Sequence, residues 1–332
     1  MNLTRNATRK NVLVFRPIPA DLLDRISAVH DVIVADPRRA DEQPRFRAAL
    51  RDAHGLIGSS VKIGAAELAE APLLQVISSI SVGVDNYDLA GLKQRGITLC
   101  HTPGVLTETT ADTIFGLIMC TMRRLPELSQ LVREGRWTRN IGEDLFGWDV
   151  HGKTLGVLGF GRIGQAVARR AALGFGMPVL YHDPFEVKVP ELAGRATAMS
   201  VDEVLRGADI VVSTLPLTAE TRGLMNARAF ATMKAGATFI NGSRGAIVQE
   251  QALLDALDSG HLRAAGLDVF AVEPLPQDAP LRTHPKVTPF PHIGSATHET
   301  RRAMADLATA NLLRALAGER PAAAFDLSRA AD

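Results

Sequence analysis

Three polar residues that follow apolar runs have side chains suited to proton transfer and to anion binding. Arg244 lies in "NGSRG", Glu273 lies beyond "GLDVF", and His292 follows the run Val287–Phe290. Histidine is the side chain best suited to donate a proton near neutral pH, and the planar guanidinium of arginine matches a carboxylate. Taken singly, each residue fits a solvated surface loop. Because all three follow predicted strands, together they predict one site at the carboxyl edge of a parallel sheet.

A second histidine in the stretch "PHIGSATH" raises the alternative of a metal site. His298 follows His292 by six residues, and His284 precedes His292 by eight. Neither spacing is the i, i+4 spacing that brings two imidazoles together on one helix face, and the sequence has no H-E-x-x-H motif and no closely spaced cysteine pair. We therefore predict no metal site, with His292 as an acid and His298 at the start of the final helix.

The clearest cofactor motif is "GFGRIG", which directly follows the apolar run Leu155–Leu158. In a dinucleotide-binding turn, the first glycine permits a tight bend, the second lets the backbone approach a pyrophosphate, and the third lets helix and strand pack closely. The N-terminus of the following helix then faces the phosphates. The alternative is a tight strand-to-helix turn without a ligand. The predicted cofactor contacts of this motif are Gly159, Gly161, Arg162, Ile163 and Gly164.

Asp183 ends the next predicted strand and lies 19 residues after Gly164. At that position a carboxylate is expected to accept hydrogen bonds from the adenosine ribose of NAD, and its charge repels the 2′-phosphate of NADP. The predicted cofactor is therefore NAD. NADP is the alternative, with Arg195 or Lys188 near its phosphate. The competing interpretation is that Asp183 only begins an Asp-Pro turn.

These residues are positioned by two series of short apolar runs that alternate with amphipathic segments. Such alternation is typical of parallel βαβ units with helices on both faces of the sheet. The predicted strands are Val12–Phe15, Asp31–Ala35, Gly55–Ser59, Gln75–Ser79, Ile97–His101, Leu155–Leu158, Pro178–His182, Asp209–Ser213, Ala237–Asn241, Ala264–Val269 and Val287–Phe290. The predicted helices around the first series are Ala20–Ala28, Gln43–Asp52, Ala65–Ala71, Leu89–Gln94 and the final segment Glu299–Gly318, which we expect to pack back on the first unit.

A long helical region, Thr107–Trp137, connects the two series. Its apolar residues recur at spacings of three and four, which predicts one helix or a pair. Pro126 is expected to kink or break it, and Thr109 with Asp112 resembles a capping box. The apolar stripe has two interpretations, packing on its own domain or forming a subunit interface.

Composition limits the class of protein. The chain has 332 residues, of which 46% are hydrophobic, and Lys+Arg 37 against Asp+Glu 36 leaves no basic surface for nucleic acid or anionic lipid. No apolar run reaches the length of a membrane span. Two cysteines and an N-terminus without an apolar secretion segment indicate a cytoplasmic protein without disulfides. We predict small-molecule partners.

The chain resembles the D-2-hydroxyacid dehydrogenase family from about Val12 to Gly318. Within that family it is most similar to the bacterial glyoxylate/hydroxypyruvate reductases that also reduce 2-ketogluconate. The motifs that carry the resemblance, besides "GFGRIG", are "SISVGVDNYDL" (Ser79–Leu89), "HTPGVLTETTAD" (His101–Asp112), "INGSRGAIV" (Ile240–Val248), "AAGLDVFAVEPLP" (Ala264–Pro276) and "PHIGSATHETR" (Pro291–Arg301).

The resemblance implies a role for each site residue. His292 matches the acid/base, Glu273 the carboxylate that orients the imidazole, and Arg244 the residue that binds the substrate carboxylate and polarises the carbonyl. Further positions are assigned to the cofactor, namely Thr109, Leu215, Pro216, Gly242 and Asp268. Others are assigned to the substrate, namely the backbone around Val82 and Gly83, with Gly294 and Ser295.

The resemblance also implies the architecture and the activity. It predicts an α/β protein of two Rossmann-like doubly wound parallel-sheet domains with a cleft between them. A flavodoxin-like substrate domain spans residues 1–101 and 297–332, and an NAD-binding Rossmann domain spans 102–296. The expected reaction is NAD(P)H-dependent reduction of a 2-keto acid to the D-2-hydroxy acid by a homodimer. A non-catalytic NAD-binding sensor or scaffold of the same fold is the alternative.

Overall fold

The computed structural model describes residues 9–329 and divides them into two compact units. One unit is Thr107–Ala296, and the other comprises the chain up to Leu106 and from Thr297 onward. The sequence analysis placed the first boundary after His101. The chain stays with the first unit for five residues more, where the Thr102 N–H donates to the Ser81 carbonyl at 2.9 Å.

The secondary structure follows the predicted alternation closely. The strands are β1 (Asn11–Val14), β2 (Asp31–Val34), β3 (Gly55–Gly58), β4 (Val76–Ser79), β5 (Thr98–Cys100), β6 (Leu155–Leu158), β7 (Val179–His182), β8 (Ala196–Ala198), β9 (Ile210–Ser213), β10 (Ala237–Asn241), β11 (Leu262–Leu267) and β12 (Val287–Pro289). The α-helices are α1 (Ala20–Ser27), α2 (Gln43–Asp52), α3 (Ala65–Ala69), α4 (Leu89–Gln94), α5 (Thr107–Met122), α6 (Leu125–Arg133), α7 (Arg162–Arg169), α8 (Val201–Gly207), α9 (Ala227–Thr232), α10 (Glu250–Asp258) and α11 (His298–Leu316).

The first unit is built on a five-stranded sheet in the order β2-β1-β3-β4-β5, with every neighbouring pair parallel. Helix α11 packs against β3 and β4. The Ser78 hydroxyl donates to the Ala308 carbonyl at 2.7 Å, and a Cβ on Gly55 would lie 2.9 Å from the Leu312 side chain. The prediction that the final helix packs back on the first unit is confirmed.

The second unit is built on a seven-stranded parallel sheet in the order β12-β11-β10-β9-β6-β7-β8. Val211 and Phe239 belong to one apolar core, whereas Val212 and Ile240 belong to another. Because successive side chains of a strand point to opposite faces, the two cores cover opposite faces of the sheet. The edge strand β8, Ala-Thr-Ala, was not predicted, since three small residues carry no apolar pattern.

The long helical region is two helices. Arg124 has a left-handed backbone (φ 55°) between α5 and α6, and Pro126 lies in the first turn of α6, so the predicted break is confirmed. The capping box at Thr109 is wrong, because α5 already begins at Thr107. Most of the apolar stripe of α5 packs into its own unit, as shown by the buried side chains of Ile114, Phe115, Leu117, Ile118 and Met122.

Candidate active site

The predicted site residues of the second unit follow six neighbouring strands. Since all the strands are parallel, their carboxyl ends lie at one edge of the sheet, where ligands bind in open α/β sheets. From β12 to β7 along that edge, the order is His292, then Asp268 and Glu273, then Arg244, then Leu215, then the glycine loop, then Asp183. Proton chemistry is therefore expected at one end of the edge and the adenosine half of a dinucleotide at the other.

His292 and Glu273 form a direct pair. Nδ1 of His292 lies 2.7 Å from Oε2 of Glu273, while Oε1 of Glu273 accepts the Phe270 N–H at 2.9 Å. Because a carboxylate only accepts, Nδ1 carries the proton in this contact, and Nε2 is the ring nitrogen that remains for a further contact. The two side chains are 47% and 35% exposed, so a small molecule can reach them.

The Glu273 carboxyl is kept ionised. Burial raises the pKa of this group, but the hydrogen bonds from His292 and Phe270 and the charges of His292 and Arg244 outweigh burial, so the pKa of Glu273 lies below its usual value. The ionised carboxylate is a strong hydrogen-bond acceptor for Nδ1 of His292, so it holds the imidazole in one orientation.

Asp268 fixes the turn that carries His292. Its carboxylate is 3% exposed and accepts the N–H groups of Ile293 (2.8 Å) and Gly294 (3.0 Å). Burial raises the pKa of Asp268, while these two hydrogen bonds and the charge of His292 lower it, and the net pKa is above its usual value. Sequence reasoning by resemblance assigned Asp268 to the cofactor and missed this turn. A buried carboxylate holding a backbone 25 residues later leaves no local signal in the sequence.

Arg244 is presented by a loop whose polar groups bond one another. The Asn241 side chain accepts the Ser243 N–H (3.1 Å) and hydroxyl (2.7 Å), and its Nδ2 donates to the Arg244 carbonyl (3.0 Å). Ser213 of β9 adds a hydroxyl contact to Ser243 at 2.9 Å. Asn241 and Ser213 are buried, so the network is shielded from water and rigid. Neither residue was predicted, although an Asn-Gly-Ser turn after a strand is a signal for such a loop.

The Arg244 loop and the Glu273 loop meet at Gly245. A Cβ on Gly245 would lie 1.8 Å from the Phe270 carbonyl carbon, so only glycine allows this approach. The Ala271 N–H in turn donates to the Glu250 carboxylate at 2.9 Å, which ties the Glu273 loop to the first turn of α10. These two contacts bring the guanidinium and carboxylate onto adjoining loops.

The glycine loop has the geometry that a dinucleotide requires. Gly159 has a left-handed backbone (φ 90°), and a Cβ on Gly164 would lie 2.2 Å from the Gly159 carbonyl oxygen. A Cβ on Gly161 would meet nothing within 4 Å, so packing within the chain does not require this glycine. Gly161 and Arg162 are exposed at the N-terminus of α7. The loop therefore fits a pyrophosphate approaching Gly161.

Asp183 contacts both the glycine loop and its own turn. Oδ2 accepts the Phe160 N–H at 2.8 Å, and Oδ1 accepts the Phe185 N–H at 3.1 Å. The second bond is that of an Asp-Pro turn, and the first places the carboxylate beside the predicted pyrophosphate site. The turn interpretation therefore describes a contact that Asp183 makes, and the ribose contact stays a prediction.

The other cofactor and substrate positions are distributed as follows. Leu215 packs its backbone on Gly159, and Pro216 after it is exposed. Gly242 lies against Ile114 of α5, where an added Cβ would be 2.4 Å from the side chain. Thr109 lies in the first turns of α5, and Gly294 and Ser295 lie in the turn after His292. Val82 and Gly83 lie in the first unit, in the turn that follows β4.

Two further histidines, His298 and His284, were weighed as metal ligands together with His292. His298 is the first residue of α11, as predicted. His284 lies 3.1 Å from Asp258 through Nε2 and accepts the Lys286 N–H through Nδ1. Within residues 9–329, no group of three or more His, Cys, Asp or Glu side chains is arranged to hold a metal ion. In the same part of the chain, no helix is both long and apolar enough to cross a membrane.

Comparison with known proteins identifies relatives along nearly the whole chain. The family model for the NAD binding domain of D-isomer specific 2-hydroxyacid dehydrogenases matches residues 115–294. Glyoxylate/hydroxypyruvate reductase B of Yersinia enterocolitica is 48% identical over 310 residues, which is 93% of this chain and 95% of that protein. The protein of the same name from Klebsiella pneumoniae is 47% identical, over 93% of this chain and 96% of its own.

Solved structures agree with the sequence relatives. A protein from Thermus thermophilus has a TM-score of 0.87 and 42% identity, covering 95% of this chain and 100% of that one. An NADPH-dependent glyoxylate/hydroxypyruvate reductase from Sinorhizobium meliloti, solved with NADP and malonate, has a TM-score of 0.87 and 31% identity, covering 98% and 99%. Both are similar to this chain across both of its units.

Proposed function

Because the chain belongs to the D-isomer specific 2-hydroxyacid dehydrogenase family and is thus an NAD(P)-binding oxidoreductase, we propose that it reduces a short 2-keto acid to the D-2-hydroxy acid. The proposed substrates are glyoxylate, hydroxypyruvate and 2-ketogluconate. Relatives named for the first two support this range. The observation that carries the proposal is the 2.7 Å contact between His292 Nδ1 and Glu273, beside a cationic Arg244.

A reduced nicotinamide dinucleotide, held at the glycine loop Gly159–Gly164, would supply the hydride that C2 of the keto acid gains. His292 donates a proton from Nε2 to the carbonyl oxygen, which becomes the hydroxyl. Glu273 holds the imidazole in place through Nδ1. Arg244 binds the substrate carboxylate and polarises the carbonyl with its permanent charge.

The backbone around Val82 and Gly83 is proposed as a second set of carboxylate contacts, as the resemblance assigns it. Peptide N–H groups suit this task, because they donate to an anion without carrying a charge of their own. Asp268 acts on His292 indirectly, through the two backbone N–H groups that it accepts.

We propose NADH or NADPH as the reductant. The Asp183 carboxylate beside the glycine loop favours NADH, since it would repel a 2′-phosphate. The relative from Sinorhizobium meliloti is NADPH-dependent, which supports the alternative. The ratio of kcat/KM with NADH to kcat/KM with NADPH measures which cofactor the charge of Asp183 selects.

The test is a turnover assay of the purified protein with each cofactor and each of the three keto acids. His292→Gln is expected to lower kcat by roughly 10²- to 10⁴-fold, with nearly unchanged dinucleotide affinity, because only the proton donor is removed. His298→Gln, six residues away on α11, is the matched control and should retain full activity.

Two results would count against the proposal. If the wild type binds dinucleotide but turns over none of the keto acids, the protein is the non-catalytic sensor or scaffold of the alternative hypothesis. If the wild type is active and His292→Gln remains nearly as fast, another group donates the proton.

A further inference from the structure

The turn after β4 is held by side-chain and backbone contacts within the first unit. The Ile80 N–H donates to the Gly58 carbonyl at 2.8 Å, and the Thr102 N–H donates to the Ser81 carbonyl at 2.9 Å. The ring of His101 lies at hydrogen-bond distance from the same turn, with Nδ1 3.1 Å from the Val82 carbonyl oxygen. Because a carbonyl oxygen only accepts, Nδ1 of His101 carries the proton and donates it.

This one hydrogen bond sets the direction of a neighbouring donor. The Val82 carbonyl and the Gly83 N–H belong to the same peptide unit, which is planar and trans, so the two groups point in opposite directions. A partner that fixes the carbonyl therefore also fixes the N–H. The donor whose direction His101 determines is the one that the proposed function assigns to the substrate carboxylate.

His101 is itself immobilised by the C-terminal segment 323–325 and by α11. Its N–H donates to the Ala323 carbonyl at 3.1 Å, and its carbonyl accepts Nδ2 of Asn311 at 3.4 Å. Its ring makes a T-shaped contact with Phe325, with centroids 5.4 Å apart and an interplanar angle of 88°. The Phe325 N–H donates to the Leu99 carbonyl at 2.7 Å, which ties the segment to β5. The backbone of His101 is thus fixed by Ala323 and Asn311, and its ring packs against Phe325.

We propose that His101 is a positioning residue for the substrate carboxylate, acting through the Val82–Gly83 peptide, and that residues 323–325 support it. The proposal rests on the proposed function for the assignment of the Gly83 N–H. Loss of the His101 hydrogen bond lets this peptide rotate, which weakens carboxylate binding. It leaves the hydride and proton donors unchanged.

Two substitutions at His101 separate hydrogen bonding from packing. His101→Phe keeps an aromatic ring against Phe325 but removes the donor. His101→Asn removes the ring, yet its Nδ2 is separated from Cα by the same number of bonds as Nδ1 of imidazole, so it retains a donor for the Val82 carbonyl. The matched control is His54→Phe. That ring accepts the Asn11 N–H at 3.2 Å at the amino end of β3, the opposite end of the strands from Val82.

The experiment measures KM and kcat for glyoxylate, and the dissociation constant of oxamate, a carboxylate analogue, from the NADH complex. His101→Phe is expected to raise KM and the dissociation constant of oxamate roughly three- to tenfold, which corresponds to the net free energy of one hydrogen bond. The values of kcat and of the NADH affinity should stay nearly unchanged. His101→Asn should restore most of the loss, and His54→Phe should change neither constant. Phe325→Ala, which only loosens the ring, should give a smaller increase in both.

The outcomes distinguish this proposal from the proposed function. Unchanged KM and oxamate binding in an active His101→Phe protein overturn the role of His101 and leave the reductase in place. Equal losses in His101→Phe and His101→Asn, or a parallel fall in kcat, overturn it as well, because packing would then explain the effect. If His101→Phe does not fold, Phe325→Ala tests the role of His101 instead, and unchanged KM and oxamate binding in that variant overturn it. A wild type that turns over no keto acid refutes the proposed function, and oxamate binding still tests His101.

Discussion

His292 has a backbone conformation that few residues other than glycine adopt. Its φ is 54°, in the left-handed region, which costs about 1 kcal/mol for a residue with a side chain. The two hydrogen bonds from the following N–H groups to Asp268 stabilise this conformation. The left-handed turn directs the imidazole toward Glu273, so the strained residue is also the one with assigned proton chemistry.

Glu273→Gln tests the charge of this pair through the pH dependence of stability. The folded-state pKa of Glu273 lies below its ordinary value of 4.5, so the ionised carboxylate stabilises the folded protein above about pH 4.5. That contribution is lost as the pH falls through the lower folded-state pKa. Urea unfolding of wild type and variant should give a difference that is constant near neutral pH and shrinks below pH 4.5.

The control for this experiment is Glu186→Gln, because the Glu186 side chain is 80% exposed and pairs with an exposed lysine. Exposed ion pairs contribute little to stability, so this variant should unfold like the wild type at every pH. A Glu273→Gln difference that persists undiminished at pH 3 would mean that shape, and not charge, holds the pair together.

At the scale of elements, the turn between β6 and α7 contains two glycines with opposite requirements. A Cβ on Gly164 would lie 2.2 Å from a backbone oxygen, whereas a Cβ on Gly161 would meet no atom of the chain within 4 Å. Gly164→Ala should therefore lower the thermal midpoint of unfolding. Gly161→Ala should leave the midpoint unchanged and weaken NADH binding by at least about tenfold, because the new methyl group occupies the space of the pyrophosphate.

Calorimetry and fluorescence titration with NADH check both variants. Gly174→Ala is a suitable control, since an added Cβ there also meets nothing and the residue lies after α7, away from the turn. If Gly161→Ala binds NADH as tightly as the wild type, the cofactor does not approach this glycine. If Gly164→Ala is as stable as the wild type, the turn relaxes more easily than its geometry indicates.

The elements were predictable where a local pattern specifies them. The alternation of apolar runs placed eleven of the twelve strands, and it located Arg244, Glu273 and His292 after strand ends. What the sequence did not reveal depends on contacts between distant segments. Gly245 is required by the approach of Phe270, and Asp268 holds a turn 25 residues later. Neither requirement leaves a periodic signal, so the supporting contacts of the site emerge only from the fold.

At the scale of the whole molecule, exposed apolar side chains are concentrated in one stretch. Of the thirteen large apolar side chains exposed within residues 9–329, six fall between positions 125 and 148. They are Leu125, Val132, Trp137, Ile141, Phe146 and Trp148. Single exposed apolar residues are ordinary, whereas six of them within 24 consecutive positions make this stretch a candidate interaction surface. Since this stretch includes α6, it favours the second of the two interpretations that the sequence left open for the long helical region, a subunit interface.

We therefore expect a homodimer that buries this stretch, since a two-fold dimer is the commonest assembly of identical chains. Leu125→Glu combined with Val132→Glu, on α6, introduces two charges at positions 46% and 54% exposed in the single chain. Burying unpaired carboxylates is costly, so the double variant should sediment as a monomer where the wild type sediments as a dimer. Val29→Glu, equally exposed at 51% but in the first unit, should leave the dimer intact. A wild-type monomer, or a dimer that survives both α6 charges, would exclude this surface and leave the six apolar residues to another partner.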